Sequence, residues 1–487
     1  MLKPQSAGVG GGAYSGMKVL VMGLGLHGGG AESARYLSGQ GAAVTVTDLR
    51  TEEQLGPSLE TLQDLPIRYV LGRHNPQDFE QADMVIKNPG VRPDSPFLKV
   101  CRRIETDISL FLARSPARLT AVTGSKGKST TASAIRWVLD SARRAGILPG
   151  ASYLGGNITV SPLSFLDQLT PQDDAVLELS SWQLGDLRER RAENREPLLK
   201  PRGAVITPIM PDHLNRYRSM EEYVADKRVI YHGQDQQDVT VVSADEWGQS
   251  FRAETNARPL VYAEEPLPPD IAGGWIAGKN GPGLVRLPRG GTAEAVPPNL
   301  LVLGRHQKKN MLAAALILLD LGLAPDFVRD ALGKFPGIPH RLEFFHTARG
   351  IRFYNDTAAT IPEAASAAVD AFDRPPVLVA GGTDKNLDFS PLVRGASRVK
   401  TLILLAGTGS DKLIALLNAR GISYKGPFDT VDGAVAESLE SAEPGDAVVL
   451  SPGCASFGMF LNEFDRGDKW KEAVVRLAQE SPHTGIA

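Results

Sequence analysis

A chain of 487 residues exceeds what one hydrophobic core can fill, so about three domains of ordinary size are expected. With 42% hydrophobic and 22% charged residues it has the make-up of a folded globular protein, which excludes a disordered or fibrous chain. The formal charge of -3 lacks the basic excess that neutralises phosphate backbones, so no nucleic-acid partner is expected.

Cys101 and Cys454 lie far apart and fit neither a disulfide framework nor zinc-ligand spacing. No run of about 18 apolar residues occurs. The stretch up to Gly16 has no signal-peptide core. Residues 1–16 are therefore expected to form a flexible tail on a cytoplasmic protein without membrane insertion.

In chain order, "MKVLVMGLGLHGGGAESARYLSGQGAAVTVTDLR" (17–50) reads as a strand, a glycine turn, an amphipathic helix and a second strand ending at Asp48. Within it "GLGLHGG" fits G-x-G-x-x-G, the turn that brings a backbone close to a diphosphate. Taken alone, this permits an NAD-dependent oxidoreductase, although the same turn receives any nucleotide diphosphate. The strand in "ADMVIKNPGV" runs into a turn at Asn88 to Gly90, which completes a first domain, 17–111.

"RLTAVTGSKGKSTTASAIRWVLD" restarts the pattern and opens a second domain, 112–337. Its "VTGSKGKSTT" (122–131) is half a P-loop, because Val122 stands where the motif has its first glycine. Gly124 and Gly127 still let backbone N–H groups face a phosphate. Lys128 supplies a point charge and Ser129 a hydroxyl for Mg²⁺ at the start of a helix. "DAVLELSSWQL" and "PRGAVITPIMPDHLNRY" are apolar strands running into polar residues, as at strand ends that line a crevice. Residues 232–300, rich in Pro and Gly, suggest short antiparallel strands and loops, followed by a helix from Asn310 to Leu323. After "FPGIPHR", three apolar strands alternate with helices in a third domain, 338–487. The expected fold is α/β in three domains: N-terminal Rossmann-like, central P-loop-type ATPase sheet, C-terminal Rossmann-like.

The loop T-G-S-K-G-K-S-T resembles the ATP loop of the Mur ligases, which build the peptide of bacterial cell-wall precursors. "LELSSWQL" (177–184) and "LSPGCASFGMF" (450–460) resemble the members that join D-glutamate to UDP-N-acetylmuramoyl-L-alanine. "GGNI", "DHLNRY", "KRVIY", "PHRLEF", "ND" and "AGGTDKNLDF" follow the family order, so the resemblance covers nearly the whole chain after the tail. It implies an ATP-dependent amide ligase working through an acyl phosphate, with two magnesium ions, and a monomer.

The resemblance also implies roles residue by residue. Lys128, Glu178, His213 and Lys227 would form the catalytic centre. Ser129 and Glu178 would hold one Mg²⁺, and His213 with a carbamylated Lys227 the second. Gly124, Ser125, Lys126, Gly127, Lys128, Ser129 and Thr130 would cradle ATP, Asn310 would meet adenine, and Arg341 and Asp356 its phosphate and ribose. Leu26, His27, Asp48 and Gly90 would bind the UDP part of the substrate, with Asn157, Ser180, Gln183 and Asp212 along the sugar and peptide. Thr360, Lys385 and Ser456 would receive the amino acid.

The chain departs from the family pattern at several places. Ala358 replaces lysine, Ile361 and Gln307 replace asparagine, and Glu463 stands where phenylalanine is usual. His27 and Leu49 stand where threonine is common. Two alternatives follow: the same mechanism with another acceptor such as L-glutamate, or a catalytically weakened nucleotide-binding regulator. Intact Lys128, Glu178, His213 and Lys227 speak against the regulator.

Overall fold

The computed structural model describes residues 12–26, 28–158, 160–212, 216–278, 281–288 and 290–480. His27 and His213, both expected in the site, lie outside the described residues.

The first sheet contains β1 (Lys18–Met22), β2 (Ala43–Asp48), β3 (Arg68–Leu71), β4 (Met84–Lys87) and β5 (Ile104–Glu105). All pairs are parallel in the order β3-β2-β1-β4-β5. The chain direction across the sheet reverses between β1 and β4, and such a switch point leaves a crevice beyond the strand ends. Val19 to Met22 are buried without alternation, as in a parallel strand covered on both faces.

The second sheet contains β6 (Arg118–Thr123), β7 (Ser152–Gly156), β8 (Asp174–Glu178), β9 (Gly203–Ile206), β10 (Val239–Ser243), β11 (Arg258–Ala263), β12 (Gly273–Ile276), β13 (Gly283–Arg286) and β14 (Thr292–Val296). Its order is β14-β13-β12-β11-β10-β9-β6-β8-β7. The antiparallel reading of 232–300 holds only from β12 to β14. β10 and β11 are parallel, joined by a helix, Glu246–Glu254, that starts where the Asp245 side chain accepts from the Gly248 N–H. The helix expected from Asn310 spans Arg305–Asp320, and Gly322, at φ +93°, lies just past its end.

The third sheet contains β15 (Glu343–Ala348), β16 (Ile351–Asn355), β17 (Val377–Gly381), β18 (Thr401–Leu405), β19 (Lys425–Phe428) and β20 (Ala447–Leu450). It runs β15-β16-β20-β17-β18-β19, antiparallel only at β15. Three α/β sheets thus match the expected fold class.

Contacts divide the chain into two compact units, Met1–Val296 with Lys309–Ala331, and Pro297–Lys308 with Leu332–Ala487. The first unit holds two sheets over a continuous core that joins Val21 and Leu37 to Leu163, Leu177 and Ile206. In the second, Leu378 and Leu404 face one core while Val379 and Ile403 face another, the two-residue alternation of a sheet covered on both sides. Of the expected tail, residues 12–16 are described, and Tyr14 is docked. Its ring packs edge-on to Tyr36, on the helix Gly29–Gly39, beneath the Arg114 guanidinium, because an aromatic side chain gains by burial there. Among the described residues no helix is long and apolar enough to cross a membrane.

Arg466 is the largest polar commitment in the second unit, 1% exposed. Its Nε and Nη2 donate to Thr357 Oγ1 and O, both at 2.9 Å, and Nη1 to Cys454 O at 3.1 Å. Arg466→Met leaves these oxygens without donors and should cost the second unit about 2 kcal/mol or more. Urea unfolding followed by near-UV dichroism checks this, and an unchanged midpoint contradicts it.

Candidate active site

The chemistry-bearing residues of the second sheet gather at the carboxyl ends of adjacent parallel strands. The phosphate loop follows β6, Glu178 ends β8, Asn157 follows β7, and the segment 207–212 follows β9. The helix Lys128–Arg144 starts from Gly127 in the left-handed region at φ +89°. Its first turn directs free N–H groups outward, which favours an anion.

Close packing fixes the loop. A methyl on Gly124, whose φ is +136°, would lie 1.9 Å from Thr207 Oγ1 and 2.6 Å from Thr207 O. A methyl on Gly127 would lie 2.4 Å from Asn310 Oδ1, so Asn310 seats its amide on the loop. Ser125 Oγ accepts from the Met210 N–H and lies 2.9 Å from Tyr223 OH, pinning the loop to the next strand's exit. Lys126 is exposed, Ser129 half-buried and Thr130 buried.

Two lysines share the base of this loop. Lys128 Nζ donates to Ser125 O at 3.0 Å, and Lys227 Nζ donates to Gly124 O at 2.8 Å. Lys227 is 1% exposed and lies 4.5 Å from the Tyr223 ring centroid. Burial, followed by the charge of Lys128, pushes the Lys227 ammonium down to about 7. Burial also lowers Lys128, against the pull of Glu178 and Asp212.

Glu178 is 1% exposed. Its Oε1 accepts from Asn157 Nδ2 at 3.0 Å, while its buried Oε2 has no hydrogen-bond partner. A hard anionic oxygen left bare beside cations fits a divalent cation. Among the described residues no group of three or more His, Cys, Asp or Glu could hold a metal ion. Ser180 and Gln183 are engaged with each other in a capping box that starts the helix Ser181–Leu187.

In the first sheet, Gly25 N–H donates to Asp48 Oδ2 at 3.2 Å and Arg50 N–H to Oδ1 at 2.9 Å, so Asp48 shapes the glycine turn. Asn88 joins that turn to the next one: Nδ2 donates to Gly23 O at 3.3 Å and Oδ1 accepts from Gly90 N–H at 3.0 Å. Leu26 and Gly90 are exposed beside this frame.

In the second unit Asp356 and Thr360 follow β16, Ser456 follows β20 and Lys385 follows β17, three neighbouring parallel strands, while Arg341 precedes β15. Asp356 accepts from Leu342 N–H at 3.0 Å and Ser451 Oγ at 2.6 Å, and burial pushes its carboxyl up to about 6. Arg341 is exposed between His340 and Leu342, both at positive φ. Thr383 and Ala455 exchange backbone bonds of 3.0 Å, which brings the loop of Lys385 to Ser456. The Lys385 ammonium stands 5.8 Å from the Phe457 ring centroid. Thr360 is half-buried at the end of the Asn355–Thr360 turn.

Three family models match: "Mur ligase MurD-like, N-terminal domain" over 17–109, "Mur ligase middle domain" over 122–318 and "Mur ligase, glutamate ligase domain" over 340–454. A UDP-N-acetylmuramoylalanine–D-glutamate ligase of Treponema pallidum (strain Nichols) is 40% identical, with 94% of this chain and 97% of the relative covered. The chain belongs to the Mur ligase family. The ligase of the same name from Roseiflexus sp. (strain RS-1) is 42% identical to this Mur ligase over 94% of the chain and 98% of the relative. Among solved structures, the MurC of Thermotoga maritima has the same fold, with a TM-score of 0.52 at 17% identity, covering 96% of this chain and 100% of that one.

Sequence reading missed Thr207, Asn88 and Tyr223 in this Mur ligase. Tyr223 stands four residues before Lys227 on the helix Met220–Arg228, a spacing that places both on one face and was there to be read. Gly124→Ala should abolish tight ATP binding, raising Kd at least about tenfold, with far-UV dichroism unchanged. Titration calorimetry checks this, and wild-type affinity contradicts it.

Proposed function

We propose that this Mur ligase joins D-glutamate to the alanine carboxylate of UDP-N-acetylmuramoyl-L-alanine, converting ATP to ADP and phosphate. The observation that carries this reading is the cluster of Lys128, Lys227 and half-bonded Glu178 around one phosphate loop, in a chain whose full-length relatives bear the name of that reaction.

The loop N–H groups and Lys128 hold the β- and γ-phosphates, and the alanine carboxylate attacks the γ-phosphorus in line. The acyl phosphate then receives the amine of D-glutamate, and phosphate leaves. The amide forms as the amine gives up its proton, which the departing phosphate can accept. A bound magnesium ion would supply positive charge that neutralises the nucleotide phosphates. Ser129 and Glu178 would hold one ion, and His213 and Lys227 a second. Lys227 would serve there as a carbamate, since its burial favours the neutral amine, the form that adds CO₂. Leu26, His27, Asp48 and Gly90 bind UDP, with Asn157 and Asp212 further along the substrate. Ser180 and Gln183 set the helix beside it. Arg341 and Asp356 serve the nucleotide, and Thr360, Lys385 and Ser456 serve the dicarboxylate.

Phosphate release with UDP-N-acetylmuramoyl-L-alanine and a panel of amino acids should be selective for D-glutamate. Turnover with L-glutamate instead would move the acceptor assignment, and none with any amino acid would overturn the ligase reading. Lys128→Ala should reduce kcat by a factor of at least about 10² while UDP binding stays near wild type. Lys227→Ala should be inactive and regain activity with short carboxylic acids, whereas full activity without them removes the carbamate.

A further inference from the structure

β4 ends at Lys87, the register partner of Met22 at the end of β1, so this lysine stands beside the glycine turn. Its Nζ donates to Asp186 Oδ2 at 2.7 Å, and the two side chains are only 3% and 8% exposed. Asp186 lies on the helix Ser181–Leu187, which begins just beyond Glu178. The pair therefore connects the first sheet to the second at the ends that carry their site residues.

Two further cations tie the same place. Arg216 lies over the Trp182 ring, 4.1 Å from its centroid, and its Nη1 donates to Pro89 O at 3.4 Å. Arg190 Nη2 donates to Ile104 O, and its Nη1 lies 3.5 Å from Glu105 Oε2. Each side of the Lys87–Asp186 pair is short and stiff. On one side Asn88 bonds both Gly23 and Gly90; on the other the capped helix runs back to Leu179, whose N–H donates to Val122 O at 2.8 Å.

A buried ion pair is a poor source of stability, since desolvation offsets most of its attraction and an apolar pair of equal volume often does as well. What it supplies is direction: a charged hydrogen bond fixes distance and angle, whereas an apolar contact slides. Resting on the function proposed above, we propose that Lys87 and Asp186 are positioning residues that hold the Asn88–Gly90 turn, at the nucleotide end of the substrate, in register with Glu178 at its reacting end.

The test compares Lys87→Met, Asp186→Leu, the double variant and Lys87→Arg in the full chain, by melting temperature and by KM for each substrate. The single apolar variants should raise KM for UDP-N-acetylmuramoyl-L-alanine about tenfold or more, with KM for ATP within about twofold. Lys87→Arg should recover most of that loss. The double variant, which buries no unpaired charge, should regain the wild-type melting temperature yet keep the raised KM. Recovery of both in the double variant reduces the pair to packing and overturns the proposal, as does an unchanged KM in a folded single variant. If a single variant fails to fold, the double variant alone decides. A wild-type chain that does not turn over D-glutamate overturns the functional reading instead; the Kd for the UDP substrate then replaces KM in the same comparison.

Discussion

The bond from Lys227 Nζ to the Gly124 carbonyl sets the conditions under which the rest of the site operates. It places a second ammonium beneath a loop that already holds Lys128, in a space where burial penalises both charges. Glu178 and Asp212 offset part of that cost, yet Glu178 leaves one oxygen unbonded. Such a set of groups is unsatisfied in itself and gains by receiving polyanions and a cation together. The stiffness of the surroundings follows from the same need: Thr207, Asn310 and Ser125 brace the loop so that its groups cannot relax toward one another. Fixed dipoles and charges that wait for a ligand are what electrostatic catalysis requires.

All three sheets use one geometric device. A parallel strand delivers its last residue and the following loop to one edge of the sheet, and neighbouring strands deliver theirs to the same edge. In the second sheet this unites residues separated by long stretches of chain, from Gly124 to Asp212. Asp48 shows why a glycine fingerprint alone does not choose a ligand: its two oxygens are engaged by backbone N–H groups and shape the turn. The oxidoreductase reading rested on that turn, whereas the family models that match across all three sheets are those of Mur ligases.

What the sequence revealed was local. The glycine spacing of 122–131, the strand ends at Asp48 and Glu178 and the three α/β patterns are short-range signals, and each stands where the pattern put it. Lys227 was chemically silent in its helix, because its altered character comes from burial and from Lys128, which no spacing reveals. The Lys87–Asp186 contact joins residues far apart in the chain, each an ordinary charge in its own segment. Proline and glycine density hid the parallel β10 and β11, which continue the second sheet from β9 and carry buried Val and Tyr side chains regardless of the loops around them.

The altered acceptor segment is explained in part by what lies under it. Ala358 removes a cation from a turn that the family furnishes with lysine, and the backbone of that turn is tied on two sides: Ala358 N–H donates to His340 O at 3.0 Å, and Gly453 N–H donates to Ala359 O at 2.8 Å. Directly beside it, Arg466 donates to both oxygens of Thr357, and none of its three hydrogen bonds goes to a carboxylate. Burial lowers the Arg466 guanidinium to about 10, which still leaves it cationic at neutral pH in a medium that screens it weakly. The turn therefore retains a positive field from below after losing its own cation. The Lys385 ammonium, 5.8 Å from the Phe457 ring centroid, is a further cation on the loop that the Thr383–Ala455 backbone bonds bring to Ser456. Alanine at 358 therefore leaves Arg466, which donates to the adjacent Thr357, as a cation beside the turn.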